Sequence, residues 1–386
     1  MSKASISFLP ANAVIELTYR CNHSCIFCSC PWSEEPGEFQ LLPELNTAEW
    51  KSVLERLCSC GVSAMAFTGG EALLRDDCLE ILEYASSLKV MKTETVDGTL
   101  VTREVNPELY LLSNGLLVDD RVLEALARLE VKLSLSLPGL STFQHHTGAD
   151  HADTVLERFR MARKRGVPTT VNSTVTALNL HELRKTLTAA FLSGADQLLM
   201  NRFLPGGRGL SHLDELSLST EQTLEMLSTA DDVLTRAGRA GALGTEMPLC
   251  IVNKVELNTL KVGTRCSAAV KFFVVGPSGY VRVCNHSRER LDHISRWRDL
   301  KYNSYWKTFT MKNYLPPECG GCRLKLDCDG GCREAAHITG GRVDAADPLL
   351  LCCRAAATER KGITPSPSLS PTEKEGRSRS SAPAVE

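Results

Sequence analysis

Val14-Ile-Glu-Leu-Thr-Tyr19, then Arg20, then Cys21-Asn-His-Ser-Cys25-Ile-Phe-Cys28: an apolar run of strand character delivers three thiols at the spacing C-x3-C-x2-C. A four-iron, four-sulfide cube needs one further ligand per iron. Three cysteines this close can serve three irons and leave the fourth open, where a small molecule can bind and receive an electron. Zinc sites favour paired C-x2-C or C-x2-C…H-x3-H sets, and this spacing has no such pairing. Cys30, a fourth thiol nearby, is read as a bystander, because a fourth protein ligand would close the open iron.

Around this loop, 386 residues suit two domains and a tail: 1–240, 241–358, and a Ser/Pro-rich segment, 359–386, expected to be disordered. A hydrophobic content of 43% allows a sizeable core, and a net charge of −2 gives no nucleic-acid footprint. No apolar run approaches the ~20 residues of a membrane span, and residues 1–10 lack the apolar centre of a signal peptide. A cytoplasmic protein without nucleic-acid or membrane partners is expected. In that compartment sixteen cysteines point to metal or cluster ligation rather than disulfides.

Between residues 14 and 237 strand-like and helix-like runs alternate. The strands are expected at 14–19, 64–68, 109–113, 131–137, 169–175 and 197–203. The helices are expected at 47–60, 77–88, 119–129, 153–165, 180–192 and 220–237, several with good caps such as Asn46-Thr-Ala-Glu49 and Asp119. Strict alternation predicts a parallel sheet with right-handed crossovers. Six units are too few for a filled eight-stranded barrel. Open sheets of this kind bind ligands beyond the carboxyl ends of their strands, and the cysteine loop follows the first strand. Residues 92–105, with Asp97-Gly98 between β-branched flanks, predict a hairpin insertion, either a substrate flap or a surface decoration.

Polar residues at later strand ends are candidate ligand contacts. Gly69-Gly70-Glu71 follows the second strand: the glycines allow close backbone approach, and the acid can meet a cationic group. Asn114 follows the third strand. Ser134 and Ser136 share one face of the fourth. Asn172 on the fifth and Arg202 at the end of the sixth complete the set. His145, His146 and His151 lack a metal-ligand spacing. Pro205-Gly-Gly-Arg-Gly209 lacks the Lys-Ser/Thr of a phosphate loop and is expected to border the substrate.

From Cys250 the alternation stops and nine cysteines appear: Cys250, Cys266, Cys284, Cys319, Cys322, Cys328, Cys332, Cys352 and Cys353. Two full four-iron clusters take eight thiolates, so the field is large enough for both. The strand-like runs 270–275 and 280–283 flank a Pro-Ser-Gly turn, and this hairpin brings Cys266 and Cys284 near each other.

The first cysteine loop resembles that of the radical S-adenosylmethionine (SAM) superfamily, and Gly69-Gly70-Glu71 and Ser113-Asn114-Gly115 are similar to its GGE and TNG motifs. The resemblance implies an α/β fold, a partial (β/α)6 barrel followed by a small irregular cysteine-rich iron–sulfur domain. It implies a 4Fe–4S cluster on Cys21, Cys25 and Cys28, with SAM chelating the open iron and yielding a 5′-deoxyadenosyl radical. Tyr19 and Phe27 would flank the cluster and Glu71 would meet the methionyl amine, with the strand serines near ribose or carboxylate. The second field resembles the SPASM signature at every spacing. That implies one auxiliary 4Fe–4S cluster on Cys266, Cys284 and Cys332, and another on Cys319, Cys322, Cys328 and one of Cys352 or Cys353. Cys250 completes the first of these, or its last iron stays open to substrate.

Members with both features mostly modify ribosomally made peptides or proteins. The expected function is hydrogen abstraction from a peptide or small-protein substrate, forming a cross-link, an epimer or an oxidised residue. An external electron donor of flavodoxin or ferredoxin type would be a partner. About a dozen residues precede the first strand, too few for a leader-binding domain, so either a separate leader-peptide-binding protein is a further partner or the substrate is small. Two alternatives stand beside this: a radical SAM enzyme acting on a porphyrin-like cofactor precursor or small metabolite, and a non-catalytic iron–sulfur electron carrier.

Overall fold

The structure, a computed structural model, describes residues 7–33, 39, 42–96 and 98–350. Its strands are β1 (Asn12–Glu16), β2 (Ala64–Thr68), β3 (Val90–Val96), β4 (Thr99–Val105), β5 (Glu108–Ser113), β6 (Lys132–Ser136), β7 (Thr169–Val175), β8 (Gln197–Arg202), β9 (Ala240–Leu243), β10 (Leu260–Val262), β11 (Phe272–Val275) and β12 (Val281–Arg282). The main helices are α1 (Thr47–Ser59), α2 (Cys78–Ser87), α3 (Asp120–Arg128), α4 (Phe143–Thr147), α5 (Ala152–Lys164), α6 (Leu183–Ser193), α7 (Leu213–Leu216), α8 (Thr220–Ala237), α9 (Leu249–Val252), α10 (Ser304–Thr310) and α11 (Arg333–Gly340).

Local chemistry sets the helix starts. Asn46 and Glu49 close a reciprocal capping box on α1, Asp119 accepts from Val122 N at 2.8 Å ahead of α3, and Ser219 with Gln222 repeats the box on α8. The strands are short apolar runs whose alternate residues bury. Leu198, Met200 and Arg202 face the helix layer, whereas Leu199 and Asn201 are half-buried on the inner face. The core lies between sheet and helices, with Ile15, Phe67, Leu111, Leu135, Val171 and Met200 against Trp50, Leu54, Leu123, Phe159 and Leu187.

Ten strands form one sheet in the order β10-β9-β8-β7-β6-β5-β2-β1-β11-β12, parallel throughout except for the β11–β12 hairpin. The six expected strands occupy its middle. The cysteine-rich region therefore does not begin as a detached module. β9 and β10 extend the sheet beyond β8, and β11 pairs with β1 from Asn12↔Phe272 to Ile15↔Val275. The sequence pattern did not contain these additions, because strands of two to four residues carry almost no periodicity.

The expected hairpin exists as β3–β4. It connects α2 to the amino end of β5, so it is rooted at the rim opposite the carboxyl ends of the strands. A flap over a carboxyl-end site does not fit that root; the surface-decoration alternative does. The tail and residues Cys352 and Cys353 lie outside the described residues. Among the described residues no helix is long and apolar enough to cross a membrane.

Candidate active site

The carboxyl ends of β1, β2, β5, β6 and β7 converge on a cavity of about 360 Å³ lined by Cys21, Cys25, Cys28 and Cys30 together with Gly69, Gly70, Asn114, Ser136 and Asn172. This is where an open α/β sheet is expected to hold ligand. The cysteine loop is pinned from two sides. Ser24 N and Ile26 N donate to Thr147 O and His146 O at 3.0 and 2.9 Å, and Gly209 N donates to Cys28 O at 3.1 Å. The thiols sense one another: burial pushes Cys25 well up, and the neighbouring Cys28 and Cys21 sulfurs push it further. Cys28 goes the other way. The Cys30 thiol donates to it, outweighing burial, and holds it down to about 6. Cys30 lines the same cavity.

Two glycines make the wall beside the thiols. A β-carbon on Gly69 would stand 2.2 Å from Thr18 O, and one on Gly70 2.2 Å from Arg20 O. Only bare backbone fits between β2 and the cysteine loop. Glu71, expected to meet an amine, does not line the cavity. It is 1% exposed, accepting from Asn114 N at 2.8 Å and Leu73 N at 3.3 Å. Its carboxylate holds the Asn114 turn in place, and Asn114 Nδ2 in turn donates to Asn22 Oδ1 at 2.6 Å inside the cysteine loop.

Ser136 and Asn172 reach the cavity, and Ser134 sits deeper on the same face with its buried hydroxyl unpaired. Arg202 does not reach it. Alternation along β8 turns Arg202 to the helix side, where it pairs with Asp347 at 2.5 Å. Asn201 takes the inner face instead, donating to Asn172 Oδ1 at 3.0 Å. Strand periodicity itself carried that signal. Phe27 lines the cavity 5.8 Å from His146, and Tyr19 stacks on Trp32 at 4.8 Å, both also at the cavity.

Two side chains not singled out from sequence join the site, one from the loop expected to border the substrate and one from the cysteine loop itself. Arg208, in the Gly-rich loop after β8, lines the cavity and donates to Cys25 O at 3.2 Å, and its guanidinium favours the Cys21, Cys25 and Cys28 thiolates. A lone arginine among glycines beyond the sixth strand was the available sign. His23, inside the cysteine loop, meets His151 with Nε2 atoms 2.7 Å apart, and burial, then His151, lowers it to about 4. His146 is a structural residue of α4 bonded to Thr142 O and Thr176 Oγ1 at 3.0 and 2.9 Å.

The second cysteine field forms two groups. Cys266, Cys284 and Cys332 are buried and sense one another; Cys319 senses Cys328 and Cys322. Backbone amides already point at two of the sulfurs: Leu249 N and Gly330 N at Cys328, both at 3.3 Å, and Leu324 N at Cys322, at 3.4 Å. Such donors suit cluster thiolates, whose potentials they tune. Cys250 is exposed on α9, next to the Leu249 amide that faces Cys328. Among the described residues no three His, Cys, Asp or Glu side chains meet around a single metal ion.

A three-thiol loop at the carboxyl rim of an open parallel sheet, with bare backbone opposite and a cysteine-rich extension, defines an iron–sulfur enzyme of the partial-barrel class. The particular family follows: residues 15–190 match the Radical SAM superfamily, so the chain carries a radical SAM domain. That family uses a 4Fe–4S cluster and SAM, and the donor set and the cavity fit both. Among its relatives are PqqA peptide cyclases. That of Rhodopseudomonas palustris is 26% identical over 351 residues, 88% of this chain and 86% of the relative. That of Xanthomonas campestris pv. campestris is 26% identical over 377 residues, 93% and 92% of the two chains. Two solved structures share the fold. Streptococcus suis SuiB bound to S-adenosylmethionine has a TM-score of 0.64 at 15% identity, covering 88% of this chain and 77% of that one. Native anSMEcpe with bound AdoMet has a TM-score of 0.65 at 16% identity, covering 90% and 97%.

Proposed function

We propose that this chain binds SAM in the Cys21–Cys28 cavity and abstracts hydrogen from a residue of a ribosomally made peptide, leaving a cross-link, an epimer or an oxidised residue. One observation carries the reading: three thiols and a side-chain-free glycine wall open onto the same carboxyl-rim cavity. The cluster and SAM, when bound, supply one-electron hydrogen abstraction; the protein supplies placement and exclusion of water.

Cys21, Cys25 and Cys28 hold the cluster in this reading. The Gly69-Gly70 backbone meets the methionyl amine, and Glu71 fixes the Asn114 turn behind it. Arg208 supplies the cation for the methionyl carboxylate, while Ser136 and Asn172 face the nucleoside hydroxyls. Phe27 and Phe143 make the cavity drier. The barrel, residues 1–240, carries initiation; residues 241–358 carry two auxiliary clusters, on Cys266, Cys284 and Cys332 and on Cys319, Cys322, Cys328 and one of Cys352 or Cys353. Relatives named PqqA peptide cyclases that span most of both chains support a peptide substrate. A flavodoxin- or ferredoxin-type donor, a separate leader-binding protein and a cytoplasmic location complete the reading.

The test is co-expression with the short peptides encoded beside the gene, followed by intact-mass analysis. A peptide lighter by the mass of two hydrogens, unchanged with the Cys25→Ala protein, is the expected result for a cross-link or oxidation. A mass-neutral product read by deuterium uptake from solvent marks epimerisation. Unmodified peptides beside full SAM cleavage would overturn the peptide assignment.

A further inference from the structure

Cys266, Cys284 and Cys332 give three thiolates to a cluster that asks for four ligands. Four carboxylates surround them. Asp329 Oδ2 accepts from Cys266 N, Lys312 Nζ and Tyr314 OH at 2.8, 2.8 and 3.0 Å. Asp347 accepts from Arg202, Cys332 N and Leu349 N at 2.5, 2.7 and 2.9 Å. Glu246 is half-buried and accepts from Ser267 N at 2.9 Å. Glu334 is different. It lies in the first turn of α11, two residues after Cys332, and is only 2% exposed. Its Oε1 accepts from Tyr305 OH at 2.7 Å, but its Oε2 is buried with no hydrogen-bond partner.

The basic atom nearest that oxygen is His337 Nδ1, at 3.5 Å, and that nitrogen is itself 2.9 Å from Tyr305 OH. A buried carboxylate oxygen without a donor costs about 1–3 kcal/mol or more, and a missing ion is a standard reason for one. After burial itself, Glu334 is the first charged group to push Cys284 up, as Glu246 is for Cys266 and Cys332; Glu334 is the one of the two with a buried, unpartnered oxygen. The other such oxygen among the described residues, Glu16 Oε1, belongs to a carboxylate that bonds the Arg282 guanidinium directly, whereas the ion pair of Glu334 Oε2 with His337 is longer than a hydrogen bond, at 3.5 Å. Cys250, the remaining thiol candidate of this part of the chain among the described residues, is exposed and sits beside the amide that faces Cys328.

We propose that Glu334 Oε2 is the fourth ligand of the auxiliary cluster held by Cys266, Cys284 and Cys332, a carboxylate on the iron the cysteines leave free. The inference rests on those three cysteines holding a cluster. Tyr305 fixes the other oxygen and keeps the carboxylate monodentate. The site is then closed, so this cluster passes electrons and does not bind substrate at an open iron.

The experiment uses the full chain, loaded with iron and sulfide without oxygen and labelled with carboxyl-13C glutamate. The EPR signal lost in Cys284→Ser identifies the cluster, and pulsed ENDOR on that signal reads its ligands. A 13C hyperfine coupling in the wild type that is lost in Glu334→Gln, together with shifted g values at full iron content in Glu334→Cys, is expected. No 13C coupling on that signal overturns the glutamate ligand while leaving the cluster in place. A Cys284→Ser protein with unchanged iron and unchanged signals overturns the cluster reading, and the glutamate ligand with it.

Discussion

Gly70 has no room for a side chain: a β-carbon there would meet the backbone of Tyr19 and Arg20 at 2.2 to 2.8 Å. Gly70→Ala must push the cysteine loop away from β2 by about an ångström, and misplacement on that scale costs roughly a hundredfold in rate. 5′-Deoxyadenosine formation by this variant should fall by about that factor, with a normal melting transition. Glu71→Gln acts differently. The amide keeps one acceptor, so the Asn114 or Leu73 amide loses its partner, and urea denaturation should report a loss of about 1–3 kcal/mol. Glu182 offers a pH test. Burial opposes its ionisation, but donors from Thr142, Ser141 and Leu140 outweigh it and hold the carboxyl down to about 2. A depressed acid stabilises the fold above its unfolded value of about 4.5 and loses that contribution as pH falls toward about 2. The destabilisation caused by Glu182→Gln should therefore be full at neutral pH and shrink across that window, as read by denaturation at a series of pH values. At this scale the thiols and the glycines were legible in sequence, because their spacing is their chemistry. The Arg208 loop was expected to border substrate, but only the fold shows that Arg208 itself reaches Cys25, and Arg202 was misread although the alternation of β8 already turned it outward.

The β3–β4 hairpin stands on a closed base. Asn106 Nδ2 donates to Ser86 O and Leu88 O at 2.6 and 3.2 Å, and Lys89 Nζ donates to Asn106 Oδ1 at 2.7 Å, so the chain ends beneath it are already tied. Replacing residues 91–104 by a tight turn should leave 5′-deoxyadenosine formation within about twofold, as for a tolerated surface segment. A tenfold loss would mean that the hairpin reaches the cavity after all. Its existence was readable from Asp97-Gly98 and β-branched flanks. Its position was readable too, because an insertion between a helix and the next parallel strand enters at the amino rim. The alternation of the six central units was equally plain. What the sequence did not reveal was that β9 to β12 join the same sheet: two to four residues have no period, and only pairing with β8 and β1 defines them.

Across the whole molecule, a buried ion pair ties the first strand of the sheet to the cysteine-rich region. Arg282 on β12 bonds Glu16 on β1, and both side chains are at most 1% exposed. The guanidinium also donates to Asn285 O and Ser287 O at 3.0 Å, and it stands 5.2 Å from the Trp32 ring, beside the cavity. Removing one partner of such a pair costs about 3–5 kcal/mol. Arg282→Met should show that loss in denaturation, with both cysteine regions loosening together, and the double variant with Glu16→Gln should lose less than the sum of the singles. In the proposed function, Cys21, Cys25 and Cys28 start a radical reaction on SAM. The direct measurement is 5′-deoxyadenosine from the iron-loaded, reduced protein given SAM without oxygen. Production by the wild type that vanishes in Cys25→Ala is predicted. Equal production by the Cys25→Ala protein, or none from fully iron-loaded wild type supplied with its modified peptide's precursor, would contradict it.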